Sequence, residues 1–188
     1  TIPEGSTSYE VGMVIKQSLP SISLDVFKEQ INKQKAEGKL FPSTYFLLPS
    51  NNEEYIIKLM VKTFDDIYKK NFINLTIPSP LSNQSDVIIL ASLLEGEAKT
   101  ESDMKIISGI LLNRLNIGMP LQVDVMKETY TKKGLPNNPI NNPGNMALRA
   151  VFEPTMTNYL YYITGKDGIM HYAKTFEEHK RNIQKYLR

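Results

Sequence analysis

The chain has 188 residues, of which 41% are hydrophobic and 22% charged, with a formal net charge of +2 and no cysteine. That length buries a substantial core and accommodates one or two small domains of ordinary globular composition. The mild charge, with no dense Lys/Arg tract, argues against nucleic acid as a partner; the lack of Cys excludes disulfides and thiolate metal sites; and no apolar run approaches the roughly 18–20 residues of a membrane helix.

Residues 7–19 predict a short helix capped by Ser6 or Ser8. Residues 23–36 predict a second, with Val26, Phe27, Ile31 and Ala36 on one face and Gly38 as its stop. The Phe-Pro and Leu-Pro pairs within 40–49 predict extended or turn structure. Residues 52–71 form the clearest helical pattern: Tyr55, Ile56, Leu59, Met60, Thr63, Phe64 and Ile67 recur at the helical period, behind a cap at Asn51 or Asn52. Two prolines and several Ser and Asn residues make 73–85 a linker or hinge. A nearly all-apolar helix follows over 86–98, capped by Ser85 or Asp86, then another over 102–116 that ends at Gly118-Met119-Pro120. Residues 122–146, rich in Asn, Pro and Gly, read as loop. Residues 159–164 predict a strand, Gly165-Lys166-Asp167-Gly168 a turn, and 169–173 its hairpin partner. A C-terminal helix over 175–187 starts at Thr175. The chain carries no internal repeat and no low-complexity tract.

Chemistry concentrates at the end of the apolar 86–98 helix, where Glu95 and Glu97 stand. Two residues apart on a helix is about 200°, so the two carboxylates face nearly opposite sides, and one is expected to be functional while the other meets solvent or a structural partner. A carboxyl at the polar end of a buried helix has its pKa raised by desolvation, as a general acid near neutral pH requires. The alternative is a pair of ordinary surface acids. Asn113 and Arg114 stand inside an apolar helix, either as an ordinary face with Arg114 extending to solvent or as hydrogen-bonding groups, with Glu95 as a further partner for Arg114. His171 and His179 are the only histidines, too few for a metal or histidine-based nucleophile site; His179 reads as a packing or capping group.

The segment ASLLEGE, followed by LNRLNIGMPLQVD, then GLPNNPINNPG, Ala147-Leu148, Pro154, YLYYIT and KTFEEH, with TIPEG and EGKLFPSTY upstream, resembles in that order the YceG-like family, the MltG-type endolytic murein transglycosylases. The resemblance covers nearly the whole chain. It implies an α+β fold: a small N-terminal LysM-like remnant with a linker helix over 1–80, and a catalytic region of helices with a short antiparallel sheet over 81–188. The LysM-like part implies either glycan binding or a packing module that orients the rest. The implied activity is a lyase reaction on peptidoglycan glycan strands, which cleaves the bond between N-acetylmuramic acid and N-acetylglucosamine without water, leaves an anhydro sugar end, and terminates or trims nascent strands. It implies no cofactor and no metal. It also implies a peptidoglycan synthase as partner and an N-terminal membrane anchor with the catalytic region outside the cytoplasm; the chain, which opens at Thr1 without an initiator Met, reads as a fragment from which that anchor has been removed.

Carried over by motif, the acid is the second of the E-x-E pair, Glu97. Glu95, Asn113, Arg114, Gln122, Asp124, Tyr130, Asn142, Gly144 and His171 are the substrate-side residues. Amide and carboxylate side chains on a loop suit sugar hydroxyls and acetamido groups. Three departures stand out. Ala98 follows Glu97 where a hydroxyl residue is usual; Val125-Met126 replace the family's D-P-T-V in a shortened segment; and Met170-His171-Tyr172-Ala173 is one residue short of the family's hairpin spacing. Two alternatives remain. One is a non-catalytic peptidoglycan-binding module. The other, a pyridoxal-phosphate lyase, needs a Schiff-base Lys and a phosphate cradle, and no Gly-rich loop precedes a helix here.

Overall fold

The computed structural model describes residues 1–188 and contains seven helices and one two-stranded antiparallel sheet, an α+β arrangement. Helix α1 (Ser8–Ser18) begins at Thr7, whose hydroxyl accepts from the Glu10 amide while the Glu10 carboxylate accepts from the Thr7 amide, a reciprocal cap. Helix α2 (Leu24–Gln34) starts at Ser23 and ends at Lys35, which takes a left-handed conformation with φ 51°. The expected stop, Gly38, lies three residues further on, packed beneath Pro139 and Ile88. Helix α3 (Glu53–Phe72), capped by Asn52, has 20 residues and so runs about 30 Å.

That length lets α3 serve two cores. Its first half, with Ile56, Ile57 and Met60, shares a core with Val11 and Ile15 of α1, Leu19 just beyond it, and Phe27 and Ile31 of α2. Its second half, with Phe64, Tyr68 and Phe72, belongs to the larger core. The change of core therefore falls inside a continuous helix. The 73–85 segment lies downstream of it and packs against the larger core through Ile77 and Leu81.

Helix α4 (Gln84–Glu97) is the axis of the larger core, with residues 87–94 all buried. An all-round apolar helix is one enclosed on every side, and α5 (Glu101–Asn116) and α6 (Asn145–Phe152) supply the enclosure. The sequence pattern does not signal α6. It has eight residues, follows a Pro-rich loop and lacks a side-chain cap of its own; tertiary burial of Ala147, Leu148, Ala150 and Val151 makes it. The loop before it also holds a 3₁₀ turn, Lys127–Tyr130.

Strands β1 (Tyr161–Thr164) and β2 (Met170–Ala173) pair antiparallel, with Tyr162 opposite Tyr172 and Ile163 opposite His171. Helix α7 (Phe176–Tyr186), capped by Thr175 and Glu178, packs on the hairpin and buries no residue fully. No helix is long and apolar enough to cross a membrane.

Candidate active site

The end of α4 presents its two acids to different surroundings. Glu97 Oε2 accepts from the Tyr162 hydroxyl at 2.8 Å, and Oε1 from the Val125 amide at 3.3 Å. Gly96 makes the second contact possible: a Cβ there would stand 2.7 Å from Val125 Cγ1, so only glycine lets the 122–126 strand of chain close onto the helix end. Burial raises the Glu97 pKa above the usual carboxylate range. The Tyr162 and Val125 hydrogen bonds oppose that rise, and the nearby Asp124 charge adds to it. Tyr162 is itself pushed well up, by burial and then by Glu97, so it stays a protonated donor.

Glu97 opens onto a cleft of about 540 Å³, lined also by Arg114, Gln122, Asp124, Tyr130, Tyr162 and His179 among others. Gln122 sits at the bend into the cleft wall with φ 49° and donates its amide N–H to Thr129 O. Thr129 ties this short segment together: its hydroxyl accepts from the Val123 amide and donates to Met126 O. Asp124 is exposed and accepts from the Tyr130 hydroxyl. That hydrogen bond, ahead of burial, pushes the Tyr130 phenol up to about 12. Arg114 is buried; its guanidinium donates to Leu160 O and Leu121 O and lies 5.5 Å from the Tyr161 ring centre.

The hairpin carries the opposite wall. Tyr162 reaches Glu97 at the end of α4, and its cross-strand partner Tyr172 donates to Asp103 at 2.8 Å in the first turn of α5. One pair of tyrosines thereby spans the turn between the two helices. Asn113 acts from beneath, donating to Thr157 O and Tyr159 O and fixing the chain that leads into β1.

Glu95 faces elsewhere. Its Oε2 accepts from the Gly144 amide at 2.8 Å, at the start of α6, with the Glu4 side chain laid over Gly144. Burial raises its pKa too, opposed by the Gly144 hydrogen bond and reinforced by the Glu4 charge. Arg114 does not pair with Glu95, as the sequence reading had allowed; it is spent on backbone carbonyls instead. Asn142 is 0% exposed. Its side chain accepts from the Leu40 amide and donates to Ser6 O, joining the N-terminal region to the larger core. His171 binds Asp167 at 3.0 Å and stacks on Tyr186.

Of the ten residues singled out from sequence, the cleft thus gathers Glu97, Arg114, Gln122, Asp124 and Tyr130. It does not gather Glu95, Asn142 or Gly144, which form the seam with the N-terminal region, nor Asn113 or His171, which hold the hairpin. Sequence reading missed Tyr162 and His179 as cleft residues. The alternation Tyr161-Tyr162 in a strand meant that one of the two had to face the helices. The His179 ring stacks on Tyr161, 5.2 Å between centres, as a packing role requires, while lining the cleft. Burial and then the Arg114 charge lower its pKa.

A family model described as the YceG-like family matches residues 1–126 and 128–185. The chain is similar to the endolytic murein transglycosylase of Bacillus subtilis (strain 168), 31% identical over 204 residues that take in 92% of this chain and 54% of that protein. It is similar to the endolytic murein transglycosylase of Streptococcus pneumoniae serotype 2, 27% identical over 188 residues, which are 85% of this chain and 34% of that one. The chain therefore spans about half or less of the length of these curated relatives. Among solved structures, it superposes on the crystal structure of a yceG-like protein from Listeria monocytogenes with a TM-score of 0.77 and 26% identity, over 96% of this chain and 74% of that one.

Proposed function

The chain belongs to the YceG-like family, and from that premise we propose that it is a lytic transglycosylase of peptidoglycan with Glu97 as its single acid and base. The observation that carries the reading is a half-buried carboxyl with a raised pKa, held by Tyr162 and Val125 at the mouth of the cleft. Glu97, protonated at rest, gives its proton to the oxygen linking N-acetylmuramic acid to N-acetylglucosamine, and the bond from that oxygen to C1 of the muramic sugar breaks. The carboxylate so formed takes the proton from that sugar's own 6-hydroxyl, whose oxygen closes onto C1. The products are a free N-acetylglucosamine 4-hydroxyl and a 1,6-anhydro ring. No water enters, and Glu97 ends protonated as it began. One tuned carboxyl suffices for this route, whereas a glycoside hydrolase needs a second carboxylate to activate water or form a glycosyl-enzyme.

The Tyr162 hydroxyl holds the Glu97 carboxylate in place through both steps. The seam made by Glu95, Asn142 and Gly144 is assigned a structural role, between residues 1–80 as the N-terminal region, whose α3 runs on into the larger core, and 81–188 as the catalytic one. Action beside the membrane, with a glycan-polymerising partner, is part of the proposal through the family relation alone.

Asp124 in the same cleft gives a second reading its one support: paired with Glu97, it would serve a hydrolase. Digestion of purified peptidoglycan with mass spectrometry of the products decides between them. Anhydro ends, one water lighter than reducing ends, that vanish in Glu97→Gln are the expected result. Reducing ends would establish the hydrolase. Binding without any product would leave a peptidoglycan-binding module.

A further inference from the structure

His179 lines the cleft, yet neither of its ring nitrogens has a partner within the protein. The ring is packed against Tyr161, 5.2 Å between centres, and Phe176, at 6.3 Å. Nδ1 is fully enclosed. Nε2 is not among the enclosed unpartnered polar atoms, which are Ser108 Oγ, Asn141 Oδ1 and His179 Nδ1, so it keeps open surface on the cleft. Burial and then the Arg114 charge favour the neutral ring, and no carboxylate opposes them. A neutral imidazole has one N–H and one lone pair. An enclosed N–H without an acceptor is rarer than an enclosed acceptor left unused, which puts the proton on Nε2, facing the cleft. A catalytic base is oriented by a third group. Nδ1 has no such partner, so His179 is a fixed donor and not a proton carrier. The wall beside it is apolar. Phe176 stands three residues earlier, on the same face of α7. It is 52% exposed, Leu187 is 39% exposed, both line the cleft, and neither belongs to a core cluster. Lys180, whose ammonium lies 4.9 Å from the Phe176 ring centre, is not part of the lining.

We infer that His179 and Phe176 form a receptor for the N-acetyl group of a sugar in the glycan strand, with the Nε2–H donated to the acetamido carbonyl and the Phe176 ring, beside Leu187, covering the methyl. The assignment rests on the proposed murein reading and adds to it how the cleft grips the strand. An acetamido group is a planar amide with an acceptor at one corner and a methyl at another. It asks for one donor next to an apolar surface, and a pocket of few placed polar groups on an apolar lining is what binds such a ligand. Both alternating sugars of the strand carry this group at C2, whether or not a peptide is attached to the muramic sugar. The contact therefore needs no charge on the substrate. A plain glucan has a hydroxyl at C2, which can take the hydrogen bond only from a different position and offers no methyl.

The test uses the full chain carrying Glu97→Gln, so that nothing is cleaved, and calorimetry with two tetramers of the same β-1,4 linkage, one of N-acetylglucosamine and one of glucose. The acetylated tetramer should bind roughly tenfold or more tighter, the scale of one neutral hydrogen bond plus one buried methyl. Adding His179→Phe, which keeps a ring against Tyr161 and removes the donor, should cut that preference roughly threefold or more and leave the glucose tetramer unchanged. His179→Gln, which restores an N–H, should recover part of it. Phe176→Ser should cut the preference roughly threefold, the scale of the methyl alone. Equal binding of the two tetramers overturns the inference with no substitution at His179, so a poorly folded variant does not rescue the idea. Binding of neither tetramer overturns it too. A His179→Phe chain that weakens both tetramers alike assigns the ring to packing and overturns it as well. Digestion of peptidoglycan by the parent chain reports the murein reading separately. Anhydro ends alongside any of these three results sink the inference alone, and their absence sinks the murein reading beneath it.

Discussion

Glu95 and Glu97 stand two residues apart at the end of one helix, and burial raises the pKa of both. What separates them is the company each keeps. Glu95 lies in a seam: it takes the amide of Gly144, the N-cap of α6, on one side and meets Glu4 of the N-terminal segment on the other, next to Asn142. Glu97 lies at a cleft and is held by one phenol and one long amide contact, with open volume beside it. A raised pKa therefore does not by itself mark an acid catalyst. The same desolvation arises wherever a carboxyl is used as a cap inside packed structure. Reach to a ligand distinguishes the two, and it is set by a half-turn of helix.

The largest effect should fall on activity at Glu97. Replacing it with Gln keeps the shape and removes the transferable proton, so product formation should drop by about 10²–10⁴-fold, the scale of general acid–base catalysis. Glu95→Gln should keep the rate per folded molecule within a few-fold. Rates of anhydro-end formation, normalised to the folded fraction, test the contrast. Equal losses at both positions would erase the distinction between seam and cleft.

Stability should respond in the opposite sense. Asn142→Ala strands the Leu40 amide inside the seam, while Ser6 O keeps the Asn142 backbone amide as donor; one buried unsatisfied group costs about 1–3 kcal/mol. The free energy of urea unfolding should fall by roughly 1–3 kcal/mol on that scale, with the rate per folded molecule kept. A variant that unfolds normally but no longer cleaves would move Asn142 from the seam to the cleft.

Much of this was legible in the chain. Six of the seven helices follow from their apolar pattern, and Asn52 and Thr175 cap where expected, but α1 is capped by Thr7 rather than Ser6 or Ser8 and α4 by Asn83 rather than Ser85 or Asp86, because the nearest of several polar residues takes the cap only once the chain's entry direction is set. The opposed directions of Glu95 and Glu97 follow from helix geometry alone. Three things did not follow. Helix α6 is too short to carry a period, and a carboxylate from another helix helps to secure its start. Asn142 sits in a Pro- and Gly-rich segment that reads as a surface loop, and only the fold shows that its amide crosses to residues 6 and 40. Tyr162 and His179 reach the cleft through the packing of the hairpin and α7 against the helices, a long-range arrangement that local pattern does not encode.

The finest test of the comparison is the pH dependence of Glu97, because its neighbours pull in opposite directions. The protonated form is the working acid, so the rate falls as pH rises through its raised pKa. Tyr162→Phe removes a hydrogen bond that favours the carboxylate; the pKa should rise further and the basic limb move to higher pH. Asp124→Asn removes a negative neighbour that disfavours the carboxylate, and the limb should move lower. Stability carries the same sign. A folded pKa above the unfolded one means that the folded state holds the proton more tightly. The contribution is then fully present below the unfolded value of about 4.3 and is lost as pH rises through the folded value. Glu97→Gln should therefore match the parent in urea midpoint below that window and exceed it above. A midpoint difference that does not grow with pH would mean that Glu97 is no more desolvated than a surface acid, and the contrast with an ordinary carboxylate would rest on position alone.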